Sequence, residues 1–142
     1  MKRVLGLLLA VVVLVTPALA DQTMLESAVQ IEVEGYEGEV LEATNTKMVQ
    51  WFQGQNDLYF AIEIDVGGAN VSGIRKTFGA MKFAMETIEI NDEVFVYDGG
   101  TFTLLVEKAI LVRAYGSAPK TEIAKALGAM DIASLAILAR GI

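Results

Sequence analysis

The sequence contains no cysteine and no histidine in 142 residues. Disulfide bonds are therefore excluded, and packing and hydrogen bonds alone must hold the fold together. The absence also removes the usual zinc ligands, the His and Cys ligands of haem, and the residues of Ser-His-Asp and Cys-His hydrolysis. The sequence therefore predicts a protein that is not an enzyme and that carries no metal and no cofactor.

Aromatic residues are few, with a single tryptophan at position 51. Five glutamates lie close together along the chain, at positions 32, 34, 37, 39 and 42. Paired carboxylates can hydrolyse glycosides, but such a site needs aromatic side chains along a sugar-binding cleft. We therefore interpret these glutamates as a solvated protein surface.

Basic residues are also scarce: 11 Lys and Arg stand against 18 Asp and Glu, which gives a net charge of −7. Two of the basic residues and none of the acidic ones lie in residues 1–20. Residues 21–142 therefore hold 11 − 2 = 9 basic and 18 acidic residues, a net charge of −9. This balance argues against nucleic acid or an anionic membrane surface as a partner over a broad face.

Residues 1–20 have the organisation of a cleavable secretory signal peptide. Two basic residues precede an apolar stretch at 4–15, and Pro17 precedes the small-x-small triplet at 18–20. The 12-residue stretch is shorter than the ~20 residues that a membrane-spanning helix needs. The sequence predicts export to the periplasm, the cell surface or the extracellular space, with a mature chain from Asp21. The alternative is an uncleaved N-terminal anchor.

Alternation of apolar and polar residues predicts one mainly β domain (α+β) over residues 21–142. The clearest strand is 58–66, where Leu58, Phe60, Ile62 and Ile64 should point into the core, opposite Glu63 and Asp65 in water. Further strands are predicted at 28–34, 39–43, 48–52, 86–90, 93–97, 101–107 and 110–115, with a loop at 67–79. The predicted fold is an antiparallel β-sandwich or barrel of six to eight strands with a C-terminal α-helical segment.

The C-terminal segment 119–140 is rich in Ala and Leu and is predicted to be helical. A single helix would turn Asp131 partly into the apolar face. A break at Gly128, with Asp131 capping a second helix, removes that conflict, and both arrangements fit the sequence. Six apolar side chains of this segment are expected to pack on the sheet: Ile123, Leu127, Met130, Leu135, Ile137 and Leu138.

The densest group of basic residues in this acidic chain is formed by Arg75, Lys76 and Lys82. These side chains could contact an anionic headgroup or the acidic face of a second copy. The alternative is a solvated loop.

These features favour a non-catalytic envelope or extracellular module that acts by protein–protein interaction, including self-assembly. Long, nearly uncharged strands after residue 100 offer hydrogen-bonding edges to a partner. The alternative function is a small carrier that binds an apolar ligand or lipid inside a β-barrel. Neither interpretation involves nucleic acid or a membrane span after cleavage.

Overall fold

The computed structural model describes residues 17–142, with side chains from Gln22 onward, so most of the predicted signal peptide lies outside the described residues. Helix α1, Pro17–Val29, comes first and runs through the predicted cleavage position. Leu25, Ala28 and Val29 of this helix are buried in the core. Cleavage before Asp21 would leave all three side chains in the domain.

Seven strands and three more helices follow within the described residues. They are β1 (Glu37–Ala43), β2 (Lys47–Gln53), β3 (Tyr59–Val66), α2 (Gly68–Ala84), β4 (Glu86–Ile90), β5 (Glu93–Asp98), β6 (Thr101–Val106), β7 (Ile110–Gly116), α3 (Lys120–Ala129) and α4 (Ile132–Arg140). The strands form one antiparallel sheet in the order β1-β2-β3-β7-β6-β5-β4.

This architecture confirms the predicted mainly β fold, with an antiparallel sheet of six to eight strands and a C-terminal helical segment. The predicted closure into a sandwich or barrel is wrong, because the sheet is open, with β1 and β4 as its two edges. The carrier interpretation depended on a barrel interior, which an open sheet does not provide.

Helix α2 replaces the loop that the sequence predicted at 67–79. It connects β3 to the far edge strand β4, and β4–β7 then return to pair with β3. Its glycines hide the helical signal because glycine has a low helix propensity. Tertiary packing compensates, since Val71 and Phe78, two turns apart on the same side of the helix, are both buried. Gly67 and Gly68, at the N-terminal end of α2, have positive φ values of 66° and 79°, which glycine adopts without strain.

The strand predicted at 28–34 is also wrong. Val29 ends α1, and residues 30–34 form an irregular segment before β1. Ile31 and Val33 are half-buried against the core. The alternation of apolar and polar residues along this segment therefore reflects the partial burial of every second side chain. It does not indicate a strand, because the backbone of this segment pairs with no strand.

The two faces of the sheet are covered by different helices. The first face carries Phe60, Ile62 and Ile64, all fully buried as predicted, and packs against α1, α3 and α4. Leu58 precedes β3 and is only half-buried. The second face lies under α2, which contacts β5, β6 and β7 and shares a surface depression with Leu105 of β6.

The C-terminal segment is broken into α3 and α4, as one of the two predicted arrangements requires. Asp131 caps α4: its Oδ1 accepts a hydrogen bond from the Ser134 backbone N–H at 3.1 Å, and its Oδ2 accepts one from the Ser134 hydroxyl at 2.6 Å. These bonds lower the pKa of Asp131 below its ordinary value. The cap therefore contributes stability above that ordinary value and loses it as the pH falls.

Most of the apolar side chains expected to pack on the sheet do so. Ile123, Leu127, Met130, Leu135 and Leu138 are buried. The prediction for Ile137 is wrong, because its side chain is 62% exposed on the outer side of α4. Within residues 17–142, no helix has both the length and the apolar character that crossing a membrane requires.

Candidate functional site

The three basic residues predicted as contacts lie together on α2. Arg75, Lys76 and Lys82 are exposed and line a depression of about 800 Å³ together with Lys108 and Glu107 from the β6–β7 turn. Sequence reasoning missed Lys108, because only the return of β6 and β7 beneath α2 brings it close. The depression therefore has four cations and one carboxylate in its lining.

Two contacts hold parts of this basic depression in place. The Arg75 Nε–H donates a hydrogen bond to the carbonyl oxygen of Lys108 at 2.8 Å, which ties α2 to the turn. The Lys82 ammonium lies 5.3 Å from the centre of the Phe78 ring. Glu107, the carboxylate of the depression, is paired with Arg140 at 3.4 Å. The positive charge of Arg75, Lys76 and Lys82 is therefore directed toward solvent.

An exposed aromatic ring adjoins these cations. Phe83 is 95% exposed at the C-terminal end of α2, and Met85, directly after the helix, is 40% exposed. Exposed apolar groups with polar neighbours are typical of protein–protein interfaces. We call Arg75, Lys76, Lys82, Phe83 and Lys108 the α2 surface.

Strand β1 forms an acidic edge of the sheet, four strands away from β6. Its register with β2 places Glu37, Glu39 and Glu42 on the second face, and all three are exposed, as the interpretation of a solvated surface requires. Val40 and Leu41 are 41% and 55% exposed. Since β1 pairs only with β2, the backbone groups on its outer side are not paired with another strand of the sheet. We call residues 37–42 the β1 edge.

A polar cluster occupies the second face between β2, β3 and β7. Arg113 Nη2 lies 3.1 Å from Asp65 Oδ2 and 3.2 Å from Glu63 Oε2, and the Tyr115 hydroxyl donates to Glu63 Oε1 at 2.8 Å. Lys47 Nζ is 3.9 Å from Asp65 Oδ1. The side chains of Glu63 and Asp65 are only 17% and 10% exposed, so the prediction that both face water is wrong.

The environment of this cluster also changes the pKa of Tyr115. Burial raises the pKa of the phenol, and the hydrogen bond to Glu63 together with the charge of that carboxylate raises it further. Both carboxylates already have cationic partners in the cluster. The arrangement therefore joins Glu63 and Asp65 of β3 to Arg113 and Tyr115 of β7, and we call these contacts the clasp.

We expect Glu63→Ala to destabilise the protein by about 1–2 kcal/mol, because the Tyr115 hydroxyl and the Arg113 guanidinium each lose an acceptor. The matched control is Glu89→Ala on the exposed edge strand β4, which should change stability by less than ~0.5 kcal/mol. Urea unfolding of both variants checks this, and equal midpoints would show that the clasp contributes nothing.

Tyr36 provides a second polar contact, on the first face of the sheet. Its hydroxyl donates a hydrogen bond to the Glu122 carboxylate of α3 and so ties the segment before β1 to that helix. Burial first, and then the hydrogen bond and charge of Glu122, raise the pKa of Tyr36 to about 12 from an ordinary value of 10.0. The contact requires the protonated phenol.

This pKa predicts an alkaline loss of stability. The folded pKa lies above the unfolded one, so the contribution of Tyr36 is complete below pH 10 and is lost as the pH rises toward about 12. The free energy of unfolding of the unchanged protein should therefore fall toward that of Tyr36→Phe over this range. Denaturant titrations of both proteins at several pH values measure the difference, and a constant difference from pH 9 to pH 12 would contradict the assignment.

No protein-family model matches this sequence, and neither a curated protein nor a solved structure matches it. Its function must therefore be inferred from its own residues. Among the residues described, no three acidic side chains are grouped so that they could hold a metal ion. Among the described residues, the α2 surface and the β1 edge each combine exposed charges of one sign with exposed apolar side chains.

Proposed function

We propose that the protein is a non-catalytic module of the cell envelope or the extracellular space that acts by protein–protein interaction, with a second copy of itself as its partner. The observation that carries the proposal is the exposure of Phe83 beside a cluster of cations in a strongly acidic chain. Contact with another surface would remove the apolar area of this ring from water, which favours association.

The β1 edge offers the negative charge that complements the positive α2 surface, together with exposed apolar side chains. Its three glutamates complement Lys76, Lys82 and the neighbouring cations, and Leu41, which is 55% exposed, offers apolar contact to Phe83. Complementary charge of this kind steers two surfaces together and sets their orientation.

One copy cannot join its own two surfaces. Helix α2 contacts β3, β7, β6 and β5, and its basic depression is lined by Leu105 of β6. Strand β1 is four strands away from β6 in the sheet, a separation of about 19 Å at ~4.8 Å per strand. The contact is therefore intermolecular and joins unlike surfaces, head to tail. Such contacts generate rings when the rotation closes and filaments when it does not.

Light scattering after size-exclusion chromatography tests the proposal on the chain that begins at Asp21. We expect the average mass to rise with protein concentration beyond that of a dimer, and to fall as salt is raised, because salt screens charges more than ~10 Å apart at 0.1 M. Phe83→Ser should give a monomer.

The matched control is Ile137→Ser, which removes another exposed apolar side chain, 62% exposed on α4. This variant should assemble like the unchanged protein. A monomer at every concentration, or equal loss of assembly in both variants, would contradict the proposal.

A further inference from the structure

Segment 30–36 borders a groove on the first face of the sheet, beside β1 and β2. The groove has a volume of about 840 Å³ and is bounded by the segment itself, by β1 and by Gln50 of β2. Ile31, Val33 and Val40 supply apolar walls. Helix α1 contacts β2, whereas the groove itself is lined by the segment, by β1 and by Gln50.

Gln50 is the unusual residue of the groove. Its side chain points to the same face as the core residues of β2, and the residue is only 6% exposed. Its Oε1 has no hydrogen-bond partner among the described residues. Buried polar atoms in native proteins nearly always have a partner, so an acceptor without one in a groove is available to a donor from a ligand.

Gly38 makes room for the Gln50 amide. A Cβ at position 38 would lie 2.8 Å from Gln50 Nε2, closer than such contacts allow. The backbone of β1 therefore approaches this amide directly, and the amide is held at the wall of the groove.

Apart from Gln30 and Tyr36, the remaining polar side chains of the groove are carboxylates. Glu32 and Glu34 are exposed beside the apolar walls, and no basic side chain of the described residues lines the groove. A ligand that satisfies all of these groups offers N–H donors, a positive charge and a short apolar part. We propose that the groove binds a ligand with a primary ammonium or guanidinium group on an apolar stem, with the cation near Glu32 and Glu34 and an N–H donated to Gln50 Oε1.

Two kinds of ligand carry a cationic group on an apolar stem: a free organic amine or guanidine, and the Lys or Arg side chain of an extended polypeptide. Two probes distinguish them, agmatine as the free guanidinium and a blocked Ala-Arg-Ala tripeptide as the polypeptide. The tripeptide with citrulline in place of arginine is the uncharged control. Each is added to the Phe83→Ser variant, so the result does not depend on whether the chain assembles through its α2 surface.

Nuclear magnetic resonance of the 15N-labelled variant reports the binding. We expect saturable shifts of the Gln50 side-chain amide and of the backbone amides of residues 31–34, and none with the citrulline peptide. Binding by agmatine identifies a small ligand, whereas binding by the peptide alone identifies a polypeptide; either result supports the site.

Two variants add a second test. Gln50→Leu should weaken binding at least tenfold while the protein keeps its fold, and the exposed control Gln55→Leu should leave binding unchanged. Glu32→Gln together with Glu34→Gln should weaken binding without touching a buried group. The proposal is overturned if neither probe shifts the Gln50 amide, or if the glutamate variant binds like the unchanged groove.

Discussion

Removal of residues 117–142 is expected to abolish the native fold. Helices α3 and α4 supply five buried apolar side chains to the core: Ile123, Leu127, Met130, Leu135 and Leu138. Full burial of one such side chain stabilises a protein by ~1.5–3 kcal/mol, so the five together contribute roughly 8–15 kcal/mol. This matches the whole net stability of a typical domain, ~5–15 kcal/mol.

Circular dichroism and urea titration of a chain that ends at Gly116 measure this effect. The matched control ends at Arg140 and loses only Gly141 and Ile142, of which Ile142 is 67% exposed, and this chain should unfold like the full protein. A folded, monomeric product ending at Gly116 would mean that the helices do not support the sheet. It would also make them the leading candidate for the interaction surface.

Phe60→Ala is expected to be the most destabilising single substitution in the sheet, at about 3–5 kcal/mol. The Phe60 ring is fully buried in β3, stacks on Phe52 with ring centres 4.6 Å apart, and meets the edge of Tyr36 at 5.0 Å. Its loss would leave a cavity between the sheet and the segment before β1. Leu41→Ala, on the exposed β1 edge, is the control and should cost about 0.5 kcal/mol or less. Equal urea midpoints for the two variants would show that the burial of Phe60 has been misjudged.

Strands could be predicted from the sequence wherever one face of the strand is buried and the other face is exposed to solvent. The alternation of Phe60, Ile62 and Ile64 fixed both the strand and its buried face, because a one-residue shift would reverse every side chain. The same rule failed at Ile31 and Val33, since alternate burial also occurs in an irregular segment that lies against a core. Helix α2 was missed because its glycines weaken the local signal, and its buried side shows only in the packing of Val71 and Phe78.

Closure of the sheet depends on contacts that a single sequence does not encode locally. The path of α2, which carries the chain from β3 to the far edge, sets the order of the strands and makes β4 the second edge, whereas closure depends on strand tilt and stagger. Strand patterning is the same in an open sheet and in a barrel. The strands could therefore be identified while their arrangement could not.

The candidate site was predictable only in part. Arg75, Lys76 and Lys82 lie close in sequence, so their grouping was visible, whereas Lys108 joins them through the β6–β7 turn. The exposure of Phe83 has no sequence signal, since a phenylalanine in this position would ordinarily be assigned to a core. The role of Gln50 could not be predicted from the sequence either. Only its burial, and the absence of a hydrogen-bond partner for its Oε1 among the described residues, distinguish it from other polar strand residues.

The contact between the α2 surface and the β1 edge is the central claim, and charge reversal tests it most directly. One variant carries Lys76→Glu, Lys82→Glu and Lys108→Glu, which leaves Arg75 as the only cation of its α2 surface and makes both of its surfaces acidic. The other carries Glu39→Lys and Glu42→Lys, which makes both of its surfaces basic. Each variant alone should be monomeric by light scattering, because like charges then face each other.

Mixing the two variants in equal amounts should restore assembly, since each now offers the surface that the other needs. A single chain with all five substitutions should also assemble with itself. Assembly of either variant alone, or a mixture that stays monomeric at concentrations where the unchanged protein assembles, would contradict the claim that these two surfaces meet.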